Sequence, residues 1–549
     1  MKRRDFIRNI AASTAGTITL AGTPVRLLAG NTALKMAAAA SDSDHVLIFI
    51  QLHGGNDALN TLIPVDQYNE YYNLRANIAI PDHGGDGKEF INVDESIPVA
   101  DQVGLHPAMI DFKDLYDQGK AVIVQNVGYP DMNGSHFRGR DLVFMGLDGN
   151  DDNSSIHSGW MGRFLDYEYP GYPDEYPTPE MPDPIAIEMG NSMSLAFHRE
   201  DGIPIGLNIA SPQAFYDLIS GVGNYNLTFY RPDGHAGDEL EYLWQFQDMS
   251  NLYAGRLKDV FNAGTNSTVN YPEEYPFPAP PAYLKNPLSG QLRLIARLLS
   301  GGIKTRIFVC RIGGFDTHAN QVLEDDATLG THAALLYHLS TAIRAFQDDL
   351  ANLNLEDRVL SMTFTEFGRR ALSNNSYGTD HGTSTPVFLF GKALEGKIVG
   401  TNPDLKNLSG GNLQWDIDYR RIYTSVVQDW FGADPEAMEA TGFGEWVDQR
   451  IDLFGLTGTE SIKQSENAIK CFPNPAHHRI SLQFFVNEPS NIQIRITNTG
   501  GQVVLNENAG HREYGLHQFD INIDSLKRGS YIFIIEGKSK LGAGQFIKY

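Results

Sequence analysis

Hydrophobic positions between Asp44 and about Gly455 follow two alternating patterns. The run at residues 45–52 is continuous and apolar, which is typical of a strand buried on both faces. Residues 336–353 instead carry apolar side chains every three or four positions, which predicts a long amphipathic helix, and the apolar run Val359–Phe364 follows it. Strand, helix and strand in this order predict a mostly parallel sheet covered by helices on both sides.

From about Cys471 the pattern changes to strict alternation of apolar and polar residues. Ile480, Leu482 and Phe484 show it first, and further alternating runs follow after turn signals such as Gly500-Gly501. Alternation of this kind is typical of half-buried strands, so we expect a small all-β sandwich here.

The first residues have the features of an export signal. Arg3 and Arg4 precede Phe6 and Ile7, and the weakly apolar run that follows is too short to remain in a bilayer. The pattern resembles a twin-arginine signal, and that resemblance implies passage through the twin-arginine machinery. No later stretch reaches the length of a transmembrane span, so the sequence predicts none.

Together these patterns predict four successive parts of the chain. They are a twin-arginine signal and leader at 1–40, an α/β domain at 41–455, a polar linker at 456–469, and a C-terminal β-sandwich at 470–549.

Composition narrows the functional classes. The 549 residues carry a formal net charge of −24, which repels phosphodiester backbones and argues against a general nucleic-acid-binding role. Cys310 and Cys471 are the two cysteines and fall in different predicted domains, so neither a disulfide framework nor a cysteine metal site is expected. Any metal site must use carboxylates and imidazoles.

Such side chains follow several of the predicted strands. In parallel sheets, ligands bind at the carboxyl ends of strands. The residues that the sequence brings to this edge are Asp57, Asp316, His318, Glu366 and His381. Each of them alone could be a turn former, a cap or a solvated loop residue. Jointly they predict a site for one or two divalent ions, zinc, manganese, magnesium or calcium, which could act on an ester.

The C-terminal segments carry a family resemblance. Residues 472–475 (FPNP), 497–504 (TNTGGQVV) and 526–535 (LKRGSYIFII) resemble the sorting domain of the type nine secretion system. This implies passage through the type nine machinery to the cell surface or the extracellular space, after transit of the periplasm. A carbohydrate-binding sandwich is the alternative interpretation.

Five segments of the central region carry a second resemblance. They are LHGGNDALNTLIP (52–64), SHFRGRDLVFMG (135–146), GGFDTHANQ (313–321), TEFGRR (365–370) and GTDHGTSTPVFLFG (378–391). Together they resemble the exported family known as domain of unknown function 1501, which is similar to the alkaline phosphatase and sulfatase superfamily. The resemblance implies an alkaline-phosphatase-like three-layer α/β fold.

That resemblance also assigns expected roles. Asp57, Asp316, His318 and His381 resemble metal ligands of the superfamily, whereas Glu366 stands with Phe367 where an Asp-His pair is usual. One imidazole ligand is therefore missing. A nucleophile is expected after the first strand-helix unit.

Candidates for the remaining roles lie mostly in the same segments. Ser135 is the first candidate for the nucleophile and Thr61 the second. His136 and Arg138, with Arg369 and the neighbouring Arg370, are candidates for binding an anionic substrate group; pairing with surface acids is the alternative for the arginines.

Two functions follow from these expectations. The first is a secreted or cell-surface metal-dependent hydrolase that acts on phosphate or sulfate esters of a small molecule or glycan. The second is a non-catalytic surface binding or assembly protein that retains the hydrolase fold, which the missing Asp-His pair favours.

Overall fold

The computed structural model describes most of the chain. The described residues are 17–20, 23–26, 44–83, 85, 87–150, 156–190, 193–221, 252–454, 470–472, 476–486, 489–498, 503–512, 515–537 and 540–549. The chain divides into two compact units, Met1–Leu453 and Phe454–Tyr549. The twin-arginine motif and the linker predicted at 456–469 lie outside the described residues. Within the predicted leader, Thr17–Leu20 and Thr23–Arg26 form a short antiparallel pair.

A sheet of nine described strands is the centre of the first unit. In chain order its strands are β1 (Val46–His53), β2 (Ala121–Gly128), β3 (Ala186–Met189), β4 (Leu207–Ile209), β5 (Ile307–Gly313), β6 (Val359–Phe364), β7 (Thr385–Phe390), β8 (Lys397–Val399) and β9 (Ile417–Asp418). Their spatial order is β8-β2-β7-β6-β1-β5-β3-β4, with β9 paired to β2. Strand β7 is antiparallel to both its neighbours, and the other pairs are parallel.

Helices cover both faces of this sheet. The α-helices with bounds are Ala58–Thr61, Tyr68–Arg75, Ile110–Asp117, His136–Met145, Trp160–Glu168, Pro212–Ser220, Pro287–Ser300, Thr331–Asn352, Tyr419–Ser425 and Pro435–Thr441, and residues 252–263 are also helical. On one face Phe112 packs edge-on against Phe388 and Phe390. On the other face Phe144 contacts Phe364, and Trp160 contacts Phe49. The predicted mostly parallel, three-layer α/β architecture is confirmed.

Two smaller sheets accompany the central one. Leu62–Pro64, Val103–Leu105 and Ile91–Asn92 form a three-stranded antiparallel sheet. Arg369–Ser373 and Thr379–His381 form a hairpin between β6 and β7, in which Arg369 pairs with His381. The hairpin therefore returns the chain to the carboxyl edge of β6, where the candidate residues meet.

The second unit consists of antiparallel strands. Its three-stranded sheet contains Lys470–Phe472, Arg479–Val486 and Gly515–Asn522, and its four-stranded sheet contains Ser490–Asn498, Val503–Arg512, Gly529–Glu536 and Lys540–Lys548. Ile480, Leu482 and Phe484 are fully buried in its core, as the alternation predicts. Among the described residues, no helix combines the length and apolar character needed to cross a bilayer.

Candidate metal centre

Three chain segments meet at the carboxyl edge of the sheet. The loop after β5 supplies Asp316 and His318, the hairpin supplies His381, and the helix His136–Met145 after β2 begins with His136. Parallel strands bring their following loops to the same edge, which is why residues this far apart in sequence converge.

The ring nitrogens of three histidines surround the carboxylate of Asp316. Asp316 Oδ1 lies 3.2 Å from His318 Nε2 and 3.3 Å from His381 Nε2, and Oδ2 lies 3.4 Å from His136 Nε2. Ligand atoms at ~2.1 Å from a tetrahedral ion are about 3.4 Å apart. One ligand atom each of His136, Asp316 and His381 lies within 4.8 Å of the others, so these three residues have the spacing that a small divalent ion requires.

The outer nitrogen of each imidazole is held by an acceptor. His136 Nδ1 lies 2.9 Å from Glu366 Oε1, His381 Nδ1 lies 2.8 Å from the carbonyl of Gly134, and His318 Nδ1 lies 3.2 Å from Asp380 Oδ1. With Nδ1 donating in each case, the Nε2 lone pairs of the neutral rings face the cluster. Metal-binding histidines are oriented by acceptors in this way.

Two observations test whether the residues fit a cation. His318 Nε2 and His381 Nε2 lie 3.0 Å apart, so two lone pairs face each other unless a proton or a metal ion lies between them. His136 Nε2 is buried and has no hydrogen-bond partner among the described residues. Imidazole and carboxylate together suit zinc or manganese, so the donor set fits such an ion.

Glu366 lies behind the candidate ligand His136, on the side of the ring away from Asp316. Its side chain is fully buried, and Oε1 accepts from the Gly54 amide at 2.8 Å as well as from His136. The hydrogen bond to Glu366 raises the pKa of His136 above its ordinary value, although burial opposes this. Glu366 was expected as a ligand; the structure places its Oε1 against His136 Nδ1 and the Gly54 amide, where it can orient the His136 ring.

Arg369 holds Asp316 in place. Its fully buried guanidinium donates to Asp316 Oδ1 at 2.5 Å and to the carbonyls of Gly55 and Thr379 at 2.8 and 2.6 Å. Burial alone would raise the pKa of Asp316, but the hydrogen bond and charge of Arg369 keep that pKa below its usual value. Arg369, expected to bind substrate, instead positions a candidate ligand.

Asp57 is engaged elsewhere. Both of its oxygens accept from Arg75 Nη1, at 2.8 and 2.7 Å, and Oδ2 also accepts from Gln321 at 2.6 Å. Burial would raise the pKa of Asp57, but the Arg75 charge lowers it. The structure thus gives this carboxylate an internal cation and does not bring it into the histidine cluster.

Ser135 lies beside the cluster. It is exposed at the N-cap of the helix His136–Met145, and its side chain makes no capping hydrogen bond. The residues on either side of it, Gly134 and His136, both contact the cluster. The hydroxyl of Thr61, in contrast, is buried and donates to the Asp57 carbonyl.

The two other arginines from the sequence prediction are less involved. Arg138 is half-buried and makes no hydrogen bond or ion pair with the cluster in the described part of the chain. Arg370 is exposed, and its carbonyl accepts from Arg75 Nη2 at 2.7 Å.

Family comparisons agree with both sequence resemblances. Residues 256–437 match the family described as "Protein of unknown function (DUF1501)", and residues 470–548 match the "Secretion system C-terminal sorting domain". The chain therefore contains a segment similar to the DUF1501 family, followed by a secretion sorting domain. The sorting domain, of the type nine class, indicates export of this protein to the cell surface or the extracellular space. No curated protein is significantly similar in sequence.

Solved structures with a related chain path are distant. One is a protein in the alkaline phosphatase superfamily from Vibrio parahaemolyticus, with a TM-score of 0.33 and 10% identity over 88% of this chain and 83% of that one. Another is Ps i-CgsB in complex with k-i-k-neocarrahexaose, with a TM-score of 0.31 and 10% identity over 80% and 82%. Alkaline phosphatase from the Antarctic bacterium TAB5 gives 0.26 and 13% identity over 65% and 94%. At these scores the neighbours assign no residue role and no activity to this protein.

Proposed function

We propose that this exported protein is a metal-dependent hydrolase of phosphate or sulfate esters. The main support is the pair of opposed Nε2 atoms of His318 and His381, 3.0 Å apart, beside Asp316. With His136 these residues would hold one divalent ion, probed best as zinc or manganese. When bound, the ion would supply Lewis-acid polarisation of an ester oxygen.

The class of ester is inferred from the five sequence segments that resemble the DUF1501 family. That family is in turn similar to the phosphatase and sulfatase superfamily. The substrate would be a small-molecule or glycan ester that the exported protein meets outside the cell. Water adds across the ester bond, and an alcohol and free phosphate or sulfate are released.

Ser135 is the proposed nucleophile. Its exposed side chain is not used as a helix cap, and the adjacent residues Gly134 and His136 fix its backbone against the cluster. The N-terminus of the helix favours negative charge on a group placed there. This would favour the charge that develops on the Ser135 oxygen as it attacks.

One observation favours a second function. Asp316 is already neutralised by Arg369 and surrounded by histidines, so the carboxylate does not need an ion to compensate its charge. A non-catalytic surface binding protein that keeps the cluster as a structural network would also account for this contact.

Metal analysis and turnover of the purified full chain separate the two functions. We expect about one equivalent of bound metal, hydrolysis of nitrophenyl phosphate or nitrophenyl sulfate, and loss of that hydrolysis after chelation with recovery on adding the ion back. His381→Gln should lose both metal and turnover. His83→Gln, at an exposed histidine outside the cluster, should lose neither. Absence of both metal and turnover overturns the site and supports the non-catalytic binding protein, and bound metal without turnover overturns the hydrolase.

A further inference from the structure

The sheet carries a second group of polar side chains next to the metal centre. Arg311 of β5 pairs with Gln51 of β1, and Gly313 pairs with His53. Val309, two residues before Arg311, pairs with Glu188 of β3. Paired residues of parallel strands, and residues two apart on one strand, project from the same face. Arg311, Gln51, His53 and Glu188 therefore share one face of the sheet.

The helix His136–Met145 covers that same face. Its Phe144 packs against Phe364, which pairs with Gln51 in the sheet. His136 and Arg140 are four residues apart and so lie on the same side of the helix. The ring of His136 lies 6.2 Å from that of His53, which places this side of the helix over the polar group.

Arg311 has an unusual electrostatic environment. Its half-buried guanidinium makes no hydrogen bond and no ion pair with any described residue. Burial lowers the pKa of Arg311, and the charge of Arg140 lowers it further, with an effect larger than that of either opposing carboxylate, Glu366 or Glu188. Arg311 and Arg140 therefore repel each other, and no described carboxylate forms a hydrogen bond with the Arg311 guanidinium.

Two further polar atoms in this region, an amide nitrogen and a ring nitrogen, have no hydrogen-bond partner in the described structure. Gln51 is 4% exposed, and its Nε2 is buried with no hydrogen-bond partner in the described structure. His53 Nδ1 is also buried without a hydrogen-bond partner in the described structure. It lies 3.5 Å from Glu366 Oε1. A buried donor without an acceptor is costly, so the missing component here is an acceptor.

Nearby carboxylates do not supply that acceptor. Glu188 Oε2 accepts from the amide and the hydroxyl of Ser194, at 2.8 and 3.0 Å. Arg140 donates to Asp141 Oδ1 through Nε and Nη2, at 3.2 and 3.0 Å. These contacts engage Glu188 Oε2 and Asp141 Oδ1. They leave the Arg311 guanidinium, Arg140 Nη1 and the Gln51 amide nitrogen without an acceptor among the described residues.

We propose that Arg311, Arg140 and Gln51 bind a tetrahedral oxyanion, phosphate or sulfate, beside the metal centre. Guanidinium groups bind such anions through paired hydrogen bonds, and a bound anion would remove the repulsion between the two arginines. A neutral ligand would leave that repulsion in place. The assignment of this anion as the charged group of the ester rests on the proposed function; the binding itself does not.

The test uses the full chain in the presence of a chelator, so that neither metal nor turnover contributes. Inorganic phosphate and inorganic sulfate are titrated separately by calorimetry. We expect saturable binding of at least one of them, and the tighter of the two names the ester class. Arg311→Gln should weaken that binding about tenfold or more, since a charge-assisted hydrogen bond contributes at least this factor. Arg311→Lys, which keeps the charge but not the paired donors, should fall between wild type and Arg311→Gln.

Arg293→Gln is the matched control, because Arg293 is an exposed arginine in a surface pair with Glu273. It should bind the anion within about twofold of wild type, with the thermal midpoint of each variant confirming folding. Absence of anion binding by wild type, or equal affinity of Arg311→Gln and Arg293→Gln, overturns the inference. Anion binding that persists without any ester turnover overturns the proposed function and leaves this inference standing.

Discussion

Two aspartates follow neighbouring strands at the same edge of the sheet and have opposite environments. Asp57, after β1, is fully buried and its carboxylate is bound by Arg75 and Gln321. Asp316, after β5, has a side chain that is 45% exposed and is surrounded by three histidines. Each carboxylate pairs with a buried arginine, but Asp57 is enclosed, whereas Asp316 faces solvent beside the unpartnered Nε2 of His136.

The difference shows that position at a strand end does not by itself define a ligand. A buried carboxylate needs a compensating cation, and the chain supplies a guanidinium to Asp57 from the helix Tyr68–Arg75. At Asp316 three imidazoles converge in addition to the Arg369 guanidinium, and imidazoles can share a metal ion with the carboxylate. The identity of the neighbours separates a structural site from a candidate catalytic one.

The largest expected effect is on the Asp57 region. Arg75→Ala leaves a buried carboxylate unpaired, so we expect the free energy of unfolding to fall by about 3–5 kcal/mol. All five tryptophans lie before residue 454, so denaturant unfolding followed by tryptophan fluorescence reports on the α/β unit alone. Arg293→Ala, at an exposed pair, should change stability by less than about 0.5 kcal/mol. Equal effects of the two variants would contradict the ion-pair assignment.

The same region should be sensitive to acid. Burial lowers the pKa of His332, which lies 3.1 Å from Asn56 Oδ1, to about 4. Because the unfolded chain binds the proton first, the stability contributed by neutral His332 is present above the ordinary pKa of 6.5 and is lost as the pH falls towards 4. The loss should reach about 3 kcal/mol.

His332→Gln should flatten the dependence of unfolding free energy on pH between 6.5 and 4, whereas His83→Gln at an exposed site should not. An unchanged slope in His332→Gln would show that another group carries the acid sensitivity.

In the Asp316 region the expected effect is on metal binding more than on folding. Asp316→Asn removes the central carboxylate charge, so affinity for zinc or manganese should fall by at least about 100-fold, the upper range for residues that only support a ligand. Calorimetric titration of the apo protein measures it. Asp325→Asn, at an exposed acid, should bind the ion as wild type does. Retained affinity in Asp316→Asn would remove this residue from the site.

The smallest of these effects is expected at Glu366. Glu366→Gln keeps the shape of the side chain but weakens the hydrogen bond that orients His136, so metal affinity should fall about 10–100-fold. The pKa of His136, followed by NMR in the apo protein, should also fall towards its ordinary value. Glu324→Gln, at an exposed glutamate, is the control. A larger loss than in Asp316→Asn would make Glu366 a direct ligand.

The mostly parallel sheet was predictable from sequence, but the spatial order of its strands was not. The apolar runs fix the strands, and the rule for parallel sheets then places Asp316, His318 and His381 together. The Asp57–Arg75 pair was not predictable, because a buried arginine at a helix end looks the same in sequence as an exposed one. The position of His136 depends on where the helix after β2 begins relative to β5, which sequence spacing does not determine.

Arg311 could have been singled out from the sequence. It interrupts an otherwise apolar strand, Ile307–Gly313, and a charged residue in such a strand needs a partner or a ligand. Gln51 in β1 is a similar interruption. Polar residues at paired positions of two buried strands therefore indicate a candidate binding site.

Arg369 joins the two regions that the aspartates define. The same side chain binds the carbonyls of Gly54 and Gly55, just ahead of Asp57, and the carboxylate of Asp316. A substitution of Arg369 would disturb both the backbone before Asp57 and the position of the Asp316 carboxylate. The fold around Asp57 and the candidate metal centre therefore depend on the same side chain.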